Sequence, residues 1–400
     1  MPRLLALLAV VVAAPALAQD ALVVYGDTVY TMAGPPIVGG AVVVRDGRIA
    51  EVGPASSVAV PAGAREVRGA VVTPGLVDAR STVGLSGLLN QSQDQDALDT
   101  GSALQPGLRA LDAYNARDEL VEWLLALGVT TVHTGHAPGA LAAGQTTVVK
   151  TAYPTLDAAL VDSTAMLAMT VGPAVSRAFD DPGTRARAVA RIRSALYDGL
   201  AYERKRAGDD APARDLDKEA LADVVTGRMP ALVEAHRAQD ILSVLRLGRE
   251  FPELDVVLSG AAEAHLVLDE IVAAGVPVVL HPTMARARGE REALAFDTAA
   301  RLRARGIPFA IQSGYEAYVP KTRVVLFEAA VAAAYGLGRE AALESVTLGA
   351  ARILGLDGRI GSLEAGKDAD LVVFDGDPLE TVTHVCTVVV DGRVVRDACF

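Results

Sequence analysis

The stretch Val71 to Asn90, VVTPGLVDARSTVGLSGLLN, decides how the rest of the chain is read. It opens as a Val-rich apolar run with Pro74 and Gly75 inside it. It ends in small and polar residues, among them Asp78, Arg80, Ser81 and Thr82. A buried parallel strand has this form, apolar along its length and polar only where its C-terminal end leaves the core and faces a pocket. The residues at that end are the first place to look for chemistry.

Outward from this strand, the middle of the chain alternates strand-length apolar runs with longer amphipathic stretches. The runs are GVTTVHTG (Gly128 to Gly135), TTVVKT (Thr146 to Thr151), AMLAMTVG (Ala165 to Gly172), MPALVEAH (Met229 to His236), LDVVLSG (Leu254 to Gly260), VPVVLHP (Val276 to Pro282) and IPFAIQSG (Ile307 to Gly314). With the opening strand the pattern predicts eight parallel strands, the count of a TIM-type (β/α)8 barrel. Thr184 to Lys205 and Ala238 to Glu250 have the apolar spacing of the intervening helices. The two chain ends read differently, as short Val-rich runs with turn signals at Gly39-Gly40, Asp46-Gly47 and Asp391-Gly392. Such runs form antiparallel sheets. The expected fold is therefore α/β: a barrel over 72–357 beside a small composite β-sandwich made from 19–71 and 358–400.

These features resemble the metal-dependent amidohydrolase superfamily, in its imidazolonepropionase-like, exported bacterial branch. The family's first barrel strand reads roughly T-P-G-L-I-D-A-H-x-H, and this chain keeps Thr73, Pro74, Gly75, Leu76, Asp78 and Ala79. The string GSLEAGKDADLVV, from Gly361 to Val373, is similar to another family feature, as is the helical stretch KTRVVLFEAAVAAAYGLGREAALESVTLGAARILGL from Lys321. The resemblance implies a (β/α)8 barrel with a composite sandwich, a metal centre at the strand ends, and hydrolysis of amides or other non-peptide C–N bonds.

In that family, imidazoles and carboxylates hold a cation that makes hydroxide from a bound water near neutral pH. On the positions of the family's ligands, the resemblance puts Arg80 and Thr82 for two histidines, Ala168 for a carboxylated lysine, Gly260 for a histidine and Gly314 for an aspartate. His236, in ALVEAHRAQDI, falls on the family histidine after strand five. A guanidinium has no lone pair to give, and one histidine falls short of the roughly three protein ligands a tetrahedral centre needs. The expectation is a dismantled centre that holds no metal, with zinc only if a residual site is built on His236 with His265 or His281. Arg80 would bring a permanent charge to the vacated place and pair with Asp78 or Glu316, or hold a ligand carboxylate.

Further residues complete the candidate pocket. Lys150, ending TTVVKT, is either a substitute for the missing lysine or the partner of a nearby acid. His133 and His136 stand three apart in HTGH, His281 ends strand seven beside Thr283, and Glu316 and Lys321 follow strand eight. His265 reads as a packing or capping residue and His384 as part of the terminal sheet. Other chemistries lack their motifs: Gly84-Leu85-Ser86-Gly87 breaks the spacing of a nucleophile elbow, and no glycine-rich dinucleotide fingerprint follows a strand.

With 400 residues and 51% hydrophobic composition the chain can bury a large core. Residues 1–18 carry Arg3, an apolar run and Ala16-Leu17-Ala18, which reads as a cleaved secretory signal; the run is shorter than the roughly 20 residues of a membrane span. Its removal would take away one arginine and no acid, moving the formal charge from -12 to -13. So acidic a protein has no electrostatic footprint for nucleic acid. A periplasmic or secreted location is expected, and there Cys386 and Cys399 are either a disulfide or two idle thiols. The long polar loop from Ser86 to Leu108 should lie over the strand ends. The sequence thus points to a non-catalytic or strongly altered relative that binds a small molecule at the barrel mouth, compatible with a homo-oligomer. The alternative is an active hydrolase of non-peptide C–N bonds.

Overall fold

The computed structural model describes residues 21–89, 91–208, 211–316 and 321–400. The expected signal segment, 1–18, lies outside them. The N-terminal part forms β1 (Leu22–Val29), β2 (Ile37–Arg45), β3 (Arg48–Pro54) and β4 (Arg65–Pro74). The middle forms β5 (Leu76–Ser81), β6 (Val129–Thr134), β7 (Ala142–Gln145), β8 (Thr147–Lys150) and β9 (Leu160–Asp162). It continues with β10 (Leu167–Thr170), β11 (Ala231–Ala235), β12 (Val256–Gly260), β13 (Val278–Leu280) and β14 (Phe309–Ile311). The chain closes with β15 (Leu371–Phe374), β16 (Val385–Val390) and β17 (Arg393–Asp397).

The two chain ends build one seven-stranded sheet in the order β17-β16-β15-β4-β1-β2-β3. Side chains alternate between faces along a strand, so Val23 and Val43 pack on one side with Tyr25 and Val58, while Val24, Val42, Val44 and Ile49 pack on the other. The ladder is continuous from half to half, β4 pairing with β15, so hydrogen bonding makes a single sheet of what the sequence pattern reads as two half-sheets. Asp46-Gly47 and Asp391-Gly392 both turn with positive φ (52° and 77°, 48° and 73°), the conformation that matches hairpin twist. The two turns abut, and a Cβ on Gly392 would stand 2.7 Å from the Gly47 Cα. Cys386 and Cys399 are joined in a disulfide, tying the tail to β16.

All eight apolar runs of the middle become strands, but they divide between two sheets, β14-β13-β12-β11-β10-β7 and β5-β6-β8-β9. The third run departs from the parallel expectation. β7 pairs antiparallel with β10 and β8 antiparallel with β6, so the segment passes from one sheet to the other through Thr146. The Thr146 hydroxyl donates to His133 Nε2 at 2.6 Å and its N–H to the Met166 carbonyl at 2.8 Å, which fixes the crossing point. The two sheets meet again where Ser81 bridges Gly314, with the Gly314 N–H donating to the Arg80 carbonyl at 3.1 Å.

The helices follow the apolar spacing closely. One spans Arg185–Arg206, capped by the Thr184 side chain and burying Ala188, Ile192, Leu196 and Tyr202; another spans Ala238–Glu250. The C-terminal ends of β5 and β10 to β14, with the loops that follow them, form one face of the molecule, the mouth.

Candidate functional site

Asp78 and Arg80 lie two apart on β5 and so share a face. The fully buried Asp78 carboxyl accepts the Ser313 N–H at 3.0 Å, the Ser313 hydroxyl, and the Arg80 N–H at 3.2 Å. Burial pushes it up to about 6, against the opposing pull of those bonds and of the Arg80 charge. The Arg80 guanidinium points inward and donates to the Ser81 carbonyl at 2.8 Å and to the His136 carbonyl. Burial draws it down to about 10, with the Glu234 and Asp78 charges resisting, so it stays cationic at neutral pH. A small cavity beside it is lined by Arg80, His136, Ala168, Thr170, Glu234 and Ser259.

At the end of β11 the same alternation carries Glu234 and, one residue past the strand, His236 to one face. His236 Nε2 lies 3.3 Å from Glu234 Oε1, with side chains 8% and 21% exposed. Burial would raise the Glu234 carboxyl, but the His236 contact and the Arg80 charge outweigh it and hold it below the usual range. The other ring nitrogen, Nδ1, has no partner among the described residues. The ring rests on Gly260 (φ +77°), where a Cβ would come within 2.7 Å of Cε1.

The rim is built by β13, β14 and their loops. Neither ring nitrogen of His281 has a hydrogen-bond partner among the described residues, and Nε2 lies 3.9 Å from Glu316 Oε1. Burial, with the charges of Arg291 and Arg323, keeps this imidazole neutral. Glu316 does not pair with Arg80 as expected; it accepts from Arg323 Nε at 2.6 Å. Arg323 also holds Glu328 at 2.8 Å, and Glu328 accepts the Thr283 N–H at 2.7 Å and its hydroxyl at 2.8 Å. Lys321 is buried in the same turn, where its carbonyl accepts the Glu316 N–H at 2.7 Å. Thr82 is buried just past β5, its hydroxyl without a partner among the described residues.

The fold thus gathers Asp78, Arg80, His136 and His236 around one interior, with His281 and Glu316 beside each other at the rim. His136 is held down to about 4 by burial and the Arg80 charge. Two candidates go elsewhere. His133 is fully buried, donating from Nδ1 to the Ala79 carbonyl at 2.8 Å, and burial lowers it to about 3; it is a strut between β5 and Thr146. Lys150 lies at the opposite end of the strands, because the reversal of β8 turns its C-terminal end away from the mouth. Its ammonium donates to Asp368 at 3.1 Å, Asp370 at 3.3 Å and Asp391. Burial alone would lower it, yet these carboxylates raise it. His265 lies 3.4 Å from the Thr298 hydroxyl, and His384 pairs with Asp375 at 2.8 Å near the surface.

The sequence reading passed over Glu234, Ser313 and Arg323. Glu234 had a signal, since V-E-A-H puts a carboxylate two residues before a histidine at a strand end. Arg323 had none, because a loop fold brings it to Glu316. Among the described residues, no three His, Cys, Asp or Glu side chains come together closely enough to hold a metal ion.

Known proteins share this architecture. The profile of the Amidohydrolase family matches residues 333–396. The amidohydrolase tasK of Hapsidospora irregularis is 28% identical over 388 residues, covering 86% of this chain; the chain spans 38% of the length of that relative. A zinc-bound adenosine deaminase from Xanthomonas campestris shares the fold with a TM-score of 0.59 at 18% identity, over 95% of this chain and 93% of its own. An amidohydrolase from Thermotoga maritima MSB8 superposes with a TM-score of 0.87 at 30% identity, over 94% of this chain and 100% of its own. A likeness at 30% identity over 94% of this chain and the whole of that relative is not confined to one motif, and on that extent the chain belongs to the amidohydrolase superfamily.

Proposed function

We propose that this protein is a strongly altered amidohydrolase: a (β/α)8 barrel with its third strand reversed, which takes a small ligand at the mouth without the metal on which the fold family works. The observation that carries the reading is the inward-pointing Arg80 guanidinium, a permanent cation set among Asp78, Glu234 and His136 at the end of the first barrel strand. A buried charge is tolerated when opposite charges and hydrogen bonds surround it, and here the protein's own arginine neutralises acids that a dication would otherwise neutralise.

The donors at hand do not fit a zinc-type centre, which needs about three protein ligands around one point. His236 commits Nε2 to Glu234, while Gly260, Gly314 and Ala168 present no donor side chain. The space over both glycines is taken by the His236 and His281 rings, so a donor restored at either position would displace an imidazole. Elemental analysis of the purified protein tests this. No more than trace metal is expected, and near-stoichiometric zinc that disappears in His236→Ala would overturn the reading.

A second reading, an active hydrolase of non-peptide C–N bonds, is favoured by the likeness to the Thermotoga maritima amidohydrolase. It needs zinc at the mouth, so the same analysis separates the two.

Export to the periplasm or beyond is part of the proposal. The disulfide of Cys386 and Cys399 supports it, because such bonds persist in oxidising compartments. No helix among the described residues is long and apolar enough to cross a membrane. N-terminal sequencing of the mature protein should begin at Gln19.

A further inference from the structure

We infer that the foot of the strands, on the face opposite the mouth, binds a short zwitterionic peptide with apolar side chains. A trench of about 860 Å³ lies there, the size of a small-molecule site. Three of the strands that stand on it, β11, β13 and β14, are each entered through a proline, at Pro230, Pro277 and Pro308. Proline has no N–H to leave unpaired. Their carbonyls are spent on the N–H groups of Leu167 at 2.9 Å, Leu258 at 3.0 Å and Val278 at 2.9 Å. At these positions the floor offers rings rather than free backbone groups, and the half-buried Phe309 and Ile353 extend it. Such a floor takes apolar side chains.

Opposite charges stand at the two ends of the trench. Leu258, Val278 and Phe309 share one register across β12, β13 and β14, and three residues below them come Asp255, Gly275 and Gly306, all exposed. A Cβ on either glycine would meet nothing within 4 Å, so no side chain blocks the row. Asp255, at the β12 end, forms no ion pair among the described residues. At the β14 end the Gly306 N–H donates to the Arg303 carbonyl at 2.9 Å. The Arg303 and Arg352 guanidiniums share the one Glu344 carboxylate at 3.3 and 2.9 Å, with side chains 52% and 55% exposed. Two guanidiniums on one carboxylate leave a net positive charge, and each keeps N–H groups for a second carboxylate. β12 and β14 are two strand spacings apart, roughly 10 Å, which about three extended residues span. The α-ammonium of such a peptide meets Asp255 and its α-carboxylate meets Arg303 and Arg352. A fatty acid answers only the arginines. This site is separate from the mouth and does not depend on whether the mouth holds metal.

The test is calorimetric titration of the full chain with trileucine. Saturable binding is expected with a Kd below about 1 mM, and N-acetyltrileucine and trileucine amide should each bind about five-fold more weakly. Asp255→Asn should weaken trileucine by about the same factor and leave the N-acetyl peptide unchanged; Arg352→Gln should do the same with the amide. Both substitutions are at exposed positions, and circular dichroism checks that the variants are folded. Absence of saturable binding by the wild type, affinity indifferent to both caps, or folded variants that bind trileucine as the wild type does overturns the inference. Octanoate binding more tightly than trileucine would make the trench a fatty-acid site and overturn it as well.

Discussion

The His281 imidazole rests on the Cα of Gly314, so closely that a Cβ at that position would stand 2.5 Å from Cε1 and Nε2 and 2.6 Å from Nδ1. His236 stands in the same relation to Gly260. Each glycine has a positive φ, so the backbone and the neighbouring ring both forbid a side chain where the resemblance puts a metal ligand.

Gly314→Ala should therefore cost about 2–4 kcal/mol, the sum of a left-handed backbone strain and an overpacked ring. Gly289→Ala is the control, since Gly289 also has a positive φ (58°) but nothing within 4 Å of its would-be Cβ. Urea denaturation of both variants should show the larger loss for Gly314→Ala. Equal losses would mean that the ring contact contributes nothing.

Arg80→Met removes the cation between Asp78 and Glu234, leaving buried acid uncompensated, and is expected to destabilise by about 3–5 kcal/mol. In a Glu234→Gln background the same change should cost less, because one of the acids is already neutral. A double-mutant cycle by chemical denaturation reads the difference; additive losses would separate the two residues energetically.

Asp78 gives a pH dependence of definite sign. Its carboxyl is raised from 3.8 to about 6 in the fold, so between those values the folded chain holds a proton that the unfolded chain has released. The contribution to stability is fully present below about 4 and is lost as the pH rises through 6. Asp78→Asn cannot titrate. The stability of the wild type relative to this variant should fall by up to about 3 kcal/mol between pH 4 and 6.5 and stay level above. Paired denaturation curves at the two pH values measure it, and a difference that grows with pH would contradict the burial argument.

Lys150 locks the far end of the strands to the terminal sheet, in contact with Asp368, Asp370 and Asp391. Lys150→Met should cost about 3–5 kcal/mol by taking the buried cation from Asp370 and Asp391, whereas Asp368 keeps Arg48 and Arg359, each at 3.0 Å. Adding Asp370→Asn should recover part of the loss. Hydrogen exchange should place the weakening in β15 to β17, while elemental and ligand-binding properties of the mouth stay as in the wild type.

Much of this architecture is legible in the order of residues. The apolar runs from Val71 onward mark eight strands, the 3.6-residue spacing marks Arg185–Arg206 and Ala238–Glu250, and Asp-Gly pairs mark the turns of the terminal sheet. These are local properties, written within a few residues by propensity and periodicity. The pairing of Glu234 with His236 was equally local and was there to be read in V-E-A-H.

Strand direction was not local. TTVVKT presents the same alternation run either way, and only the bonds of Thr146 to His133 and Met166 reverse it. That reversal sends Lys150 to the foot, where residues more than 200 positions away supply its acids. The partner of Glu316 was likewise chosen by loop closure around Arg323. What the sequence by itself determined was which segments become strands and helices and which donors stand at their ends. What only the tertiary structure decided was which charges face one another, because burial and Coulomb energy depend on distances that the chain order does not contain.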